Sequence, residues 1–333
     1  MPRTRTLLLA LCIATPAAAA AQRPVFPQGA VVEKVFGGGA FLEGPAAAPD
    51  GTIYFSDITN PATTGGQVGH IWRFDPATGR ATIFRSPSGQ SNGLEFDAHG
   101  RLVAAEGGNR GGRRVTRTDM TTGRTTAIAL DFNGRAFNSP NDLTIDERGR
   151  VWFTDPRYSG PEPIEQAVMG VYRADSAGAV ALVIADAGKP NGIVVSPDQR
   201  TLYVASNDNG AMGPLPQGVP PRPGRRGVLA YDIGEDGSAR FRSVLVEWTD
   251  GGPDGIAVDT EGNVWVALAS ARQPSVCAYS PEGRELGCIA IPEVPSNVAF
   301  GRGAERSTLY VTARTGLYRV KTGREGYHLP AAR

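Results

Sequence analysis

From Asn138 the chain reads NSPNDLTIDERGRVWFTD: a polar turn, an alternating apolar run (LTI), a second turn (DERGR) and a second alternating run (VWFTD). Apolar residues at every second position describe a strand with one buried face, and the Gly- and Asp-rich punctuation describes tight turns. The same sentence recurs as EGPAAAPDGTIYFSD from Glu43, NGLEFDAHGRLVAAE from Asn92, NGIVVSPDQRTLYVAS from Asn191 and DGIAVDTEGNVWVAL from Asp254. A looser copy, NVAFGRGAERSTLYVTA, starts at Asn297. The six lead residues Glu43, Asn92, Asn141, Asn191, Asp254 and Asn297 are separated by 49, 49, 50, 63 and 43 positions. A repeat of roughly 40–50 residues with several strands per unit predicts a β-propeller.

Each repeat continues into a third strand, such as HIWRFD at His70 or GVYRAD at Gly170, and a fourth, such as ATIFR at Ala81 or SVLVEW at Ser243. The last repeat has no fourth strand of its own, and Ala30–Phe36 (AVVEKVF) has no repeat to join. Pairing the two closes the ring and removes an exposed sheet edge. The prediction is an all-β, six-bladed propeller of four antiparallel strands per blade, one domain over residues 22–333, closed by the N-terminal strand. The one irregular spacing has a visible cause, the Pro/Gly-rich insertion NGAMGPLPQGVPPRPGRR at 209–226. It is placed on the face that carries the lead residues, as a surface loop that walls the site or is simply tolerated there.

Residues 1–21 read as a signal peptide, with Arg3 and Arg5, an apolar stretch Leu7–Ala14 and small residues Ala17–Ala21. The expectation is an exported protein, periplasmic or secreted. No stretch approaches the about 20 apolar residues of a spanning helix, and a net charge of +1 without a basic, aromatic-interleaved cluster argues against nucleic acid. A small-molecule substrate and a monomer or weak dimer are expected. Cys277 and Cys288 face each other if the turn between them centres on Glu282–Gly283. A disulfide and two ordinary strand cysteines are equally open at this point.

The first strand of a propeller blade lines the axis, so its first residue sits at one mouth of the channel. Asn-Gly and Asp-Gly are also common turn dipeptides, but that does not account for Glu43 or for an oxygen-bearing side chain at every lead position. Carboxylates and amide carbonyls without Cys or His are hard ligands that suit calcium; other divalent ions such as magnesium, manganese or zinc are alternatives. The second strands return to the same face and end in Asp57, Glu106, Asp155, Ser206–Asn207, Ser270 and Thr312. Glu106 and Asp155, with Asn92 and Asn141 of the ring, are the candidates for holding a substrate. The three histidines lie off the ring, and Gly89–Gly93 (GQSNG) precedes a strand rather than the helix a nucleophile elbow needs.

FLEGPAAAPDGTIYFSDI, SNGLEFDAHGRLVAAEGGN with RRVTR, NSPNDLTIDERGRVWFTDPRY, KPNGIVVSPD and GPDGIAVDTEGNVWVA together resemble the senescence-marker-protein/gluconolactonase/luciferin-regenerating-enzyme family of six-bladed, calcium-dependent hydrolases. NSPND and FTDP are most similar to the bacterial gluconolactonases. The resemblance implies Glu43, Asn191 and Asp254 as direct metal ligands and Asn141 as a further ligand or substrate holder. It implies Asp254 as general base or nucleophile in lactone hydrolysis. Animal members carry Arg two residues before the equivalent of Asn141; here the position is Ser139, so their sugar specificity does not carry over. A phosphotriester hydrolase and a non-enzymatic, calcium-stabilised binding propeller remain alternatives.

Overall fold

The turn between the first two strands of a blade shows how the repeat folds. Asp146 Oδ1 accepts the backbone N–H groups of Arg148 and Arg150, and Oδ2 accepts Arg150 Nε and the Trp152 indole N–H. Asp259 does the same for Glu261, Asn263 and Trp265. Gly149 and Gly262 complete these turns at φ +76° and +83°, a region that glycine alone enters without strain. The DxxGx signature is thus a local hydrogen-bonded nucleus that fixes the register of the two strands it joins.

The computed structural model describes residues 23–59, 65–66, 68–210, 224–270 and 272–332. The segment read as a signal peptide, and residues 211–223 of the long insertion, lie outside these. Six four-stranded antiparallel sheets form the six-bladed propeller predicted from the repeat. The inner strands are Leu42–Ala47, Ser91–Phe96, Leu143–Ile145, Pro190–Val195, Gly252–Val258 and Pro295–Phe300. Five sheets run in chain order from the axis outwards. The sixth takes its outer strand, Glu33–Gly37, from the start of the chain and pairs it antiparallel to Gly316–Lys321. A short hairpin, Asp131–Phe132 with Arg135–Ala136, is additional to the repeat. No described helix is long and apolar enough to cross a membrane.

The core lies between blades, where neighbouring sheet faces meet. Phe137, Phe153 and Tyr172 pack at centroid separations of 5.0–5.6 Å, and Trp265 is held between Phe26 and Phe300 at 5.3 and 5.2 Å. Cys277 and Cys288 are directly opposed on neighbouring strands and form a disulfide. Below the inner strands the C-terminal segment crosses the lower face. Tyr327 N–H donates to Val258 O, the Tyr327 hydroxyl to Glu147, and Ala332 N–H to Ala98 O.

Candidate metal and substrate site

Most inner strands carry a pairing irregularity at the lead residue: between Glu43 and Ala46, Ser91 and Leu94, Pro190 and Ile193, and Pro253 and Ile256. An extra residue in a strand re-aims its side chain. Here it turns the lead residues into one cavity of about 530 Å³ at the upper mouth. Five of the six lead residues, Glu43, Asn92, Asn141, Asn191 and Asp254, line it together. Loops between second and third strands supply the walls, with Ile58, Gly107–Asn109, Tyr158–Ser159 and Asn209, joined by Asn207 at the end of a second strand.

Asn297 corrects the sixth position. The irregularity in that strand is one residue shorter, between Pro295 and Asn297. Ser296 therefore takes the lead position, and its hydroxyl engages Leu42 O at 2.6 Å. Asn297 drops one layer along the axis and donates from Nδ2 to Asp142 Oδ2 at 3.1 Å. It stands level with the residue that follows each lead residue elsewhere: Gly44, Gly93, Asp142, Gly192 and Gly255. A Cβ on Gly93 would lie 2.2 Å from Asp142 Oδ1, and one on Gly255 2.0 Å from Asn297 Cγ. Glycine here makes room for a bar of Asp142 and Asn297 across the axis, which floors the cavity. The Asn-Gly and Asp-Gly pairs are packing requirements, not turns.

Glu106 does not line the cavity. Its carboxylate accepts from Arg85 Nη2, Arg114 Nε and the Thr116 hydroxyl, each at 2.8–2.9 Å, and it is 2 % exposed. It is the hub of a buried ion-pair cluster, so a substrate-holding role is withdrawn. Asp155 also lies outside the lining residues. Its two oxygens accept the N–H groups of Asn138 and Ser139 at 2.8 and 2.6 Å and fix the turn that presents Asn141. Ser91 hydroxyl is buried against Ser56 and is no exposed nucleophile.

The electrostatics of the cavity are one-sided. Among the described residues no Lys, Arg, His or Cys lines it. Burial pushes Asp254 up to about 8, with the Asp142 charge adding to it and a hydrogen bond from Asn191 opposing it. Burial and then the charges of Asp254 and Asp142 hold Glu43 well above the usual carboxylate range. Burial likewise raises Tyr158, helped by Asp254. Asp254 Oδ1, Asn92 Oδ1 and Gln90 Oε1 are buried without a hydrogen-bond partner. Buried oxygens rarely go unpaired, and two desolvated carboxyl groups facing one cavity are costly unless a cation neutralises them. Hard oxygens with two carboxylates fit a divalent ion such as calcium.

Residues 41–315 match the family model described as the SMP-30/Gluconolactonase/LRE-like region. The chain is 29 % identical over 254 residues to the gluconolactonase of Zymomonas mobilis, covering 72 % of this chain and 64 % of that protein. It is 30 % identical over 281 residues to the pentonolactonase XacC of Haloferax volcanii, covering 82 % and 81 %. Among solved structures, a gluconolactonase of Xanthomonas campestris superposes with a TM-score of 0.73 at 27 % identity, covering 90 % of this chain and 91 % of that one. With its match to the family model spanning most of the propeller, the chain belongs to the SMP-30/gluconolactonase/LRE-like family.

Proposed function

We propose that the protein hydrolyses lactones, with sugar lactones such as gluconolactone as the favoured class, and that it does so with a bound divalent cation, calcium in the first instance. The observation that carries this is the convergence of Glu43, Asn141, Asn191 and Asp254 on one desolvated cavity, where buried oxygens of Asp254, Asn92 and Gln90 lack partners. The gluconolactonase and pentonolactonase relatives support the reaction class. Glu43, Asn141, Asn191 and Asp254 would hold the ion, which when bound supplies Lewis-acid polarisation of the ester carbonyl and positive charge for the developing oxyanion. Asp254 Oδ1 takes a proton from the attacking water. Asn92, between Glu43 and Asn141 in the ring, offers its unpartnered carbonyl oxygen to a substrate hydroxyl. Phe41, Ile58 and Pro140 keep part of the wall apolar, which excludes water and strengthens every electrostatic contact inside.

The test is hydrolysis of δ-gluconolactone by the purified protein before chelation, after chelation with removal of the chelator, and after calcium is added back. Activity should be lost and then restored by the ion. A protein that turns over lactones equally well after its metal has been removed overturns the metal-dependent reading.

A further inference from the structure

The FTDPRY stretch carries one residue that the metal site leaves without a role. Arg157, 1 % exposed, spreads its guanidinium into the loop that follows. Nη1 donates to Ser159 O and Glu162 Oε2 at 3.2 and 2.9 Å, and Nη2 to Glu162 O and Pro163 O at 2.5 and 3.3 Å. Glu162 in turn accepts the N–H groups of Asn109 and Arg110 from the neighbouring blade. This fork makes the loop a rigid wall and presents the adjacent Tyr158 at the cavity. The residue as a whole is 39 % exposed, while its phenol end, facing the cavity, is desolvated enough for burial to raise its pKa. Lys189 Nζ stands 4.1 Å from the ring centroid and is itself tied to Asn209 Oδ1 at 2.8 Å, a contact that fixes the ring in place.

The hydroxyl is the informative atom. It accepts a hydrogen bond from Asn191 Nδ2 at 3.3 Å. A phenol has one proton to give as well as lone pairs to receive with, and among the described residues the Tyr158 hydroxyl donates to none. We propose that Tyr158 is a specificity-determining residue: its phenol donates to a hydroxyl on the lactone ring, so the cavity favours polyhydroxylated lactones over bare ones. The inference rests on the lactone reading above and names what selects the substrate within it. A site built to hydrogen-bond a substrate hydroxyl discriminates against the analogue lacking it, because its own polar group is then left unpaired.

The experiment is Tyr158→Phe, which keeps the ring and its contact with Lys189 while removing the hydroxyl. One neutral hydrogen bond corresponds to about a tenfold effect. With calcium present, Y158F should lose about tenfold in kcat/KM on δ-gluconolactone, mainly through KM, and change by less than about twofold on δ-valerolactone. Calcium affinity measured by calorimetry should stay within about twofold, which separates substrate recognition from a role in arranging Asn191. An equal loss on both lactones, or no loss on δ-gluconolactone, overturns the assignment. If the wild type cleaves neither lactone, the lactonase reading fails by itself. Gluconate binding by calorimetry then decides the assignment: about tenfold weaker in Y158F upholds it, and equal affinity overturns it.

Discussion

Gly192→Ala tests the idea that the cavity depends on backbone touching backbone around the axis. Gly192 follows Asn191 and is buried. A Cβ placed on it would lie 2.4 Å from Asp254 O, 2.8 Å from Ile256 N and 2.9 Å from Gly255 Cα. All three are main-chain atoms of the next blade, so no side chain can swing aside. Reaching an ordinary separation of 3.4 Å requires the fourth and fifth inner strands to part by about 1 Å. Overpacking of this kind costs about 1–3 kcal/mol. With an unfolding entropy of about 2.1 cal/mol/K per residue over about 300 residues, that lowers Tm by about 2–5 °C. Function should suffer more than stability, because the displacement falls between Asn191 and Asp254, and a 1 Å misplacement costs about 100-fold in rate. The assay pairs kcat/KM on δ-gluconolactone with thermal unfolding followed by circular dichroism. Gly37→Ala is the control, since its new methyl meets only the flexible end of Lys34 at 3.1 Å. A G192A protein with kcat/KM and calcium affinity within about twofold of wild type would show that the close approach of these strands does not set the site.

Asp254→Asn should lower kcat on δ-gluconolactone by about 10²–10⁴-fold, the range of a positioned general base, while calorimetry still detects calcium. Turnover within about tenfold of wild type would remove Asp254 from the chemistry. His328, at the lower end of the axial channel with Arg302, Glu95 and Tyr327, is pushed down to about 4 by burial and then by the Arg302 charge. Unfolded, it protonates near 6.5, so acidification favours the unfolded chain. The stability His328 contributes is present above pH 6.5 and is lost as the pH falls towards 4. Between pH 7.5 and 5 the loss should be about 2 kcal/mol in urea unfolding. His328→Gln should lack that part of the pH dependence, and an unchanged slope would show that the histidine is not its source.

Much of this architecture was open to a reader of the sequence, because each blade repeats a local nucleus. The DxxGx turn and the alternation around it define two strands, and the absent last strand with a spare first one defines the closure. The lead residues were legible for the same reason in five blades. The sixth failed over a single position: a strand irregularity one residue shorter puts Ser296 where the others put Asn, Asp or Glu, and sends Asn297 to the layer below. Spacing alone cannot register that difference, although aligning Val298 with Ile256 and Ile193 would have exposed it. Glu106 and Asp155 occupy the same place in the repeat and have unlike roles, because only Glu106 has Arg85 and Arg114 beside it. Those arginines come from other strands, so the motif around Glu106 does not announce them. Tyr158 lies in an irregular loop where no periodicity applies. Its importance becomes visible only through the buried Arg157 that shapes the loop.

The borrowed strand of the sixth blade has a consequence for how the molecule is made. Glu33 meets Arg319 across 286 positions of chain, so the latch cannot engage until the chain has been made as far as Arg319. Bringing such distant segments together costs roughly 5 kcal/mol of chain entropy, from (3/2)RT ln n. Until then five blades can fold while the sixth keeps the raw margin of Gly316–Lys321 open to any other extended segment. A bulky fusion placed just before Glu33 should therefore be felt first in the yield of correctly assembled protein, well before it is felt at the distant cavity.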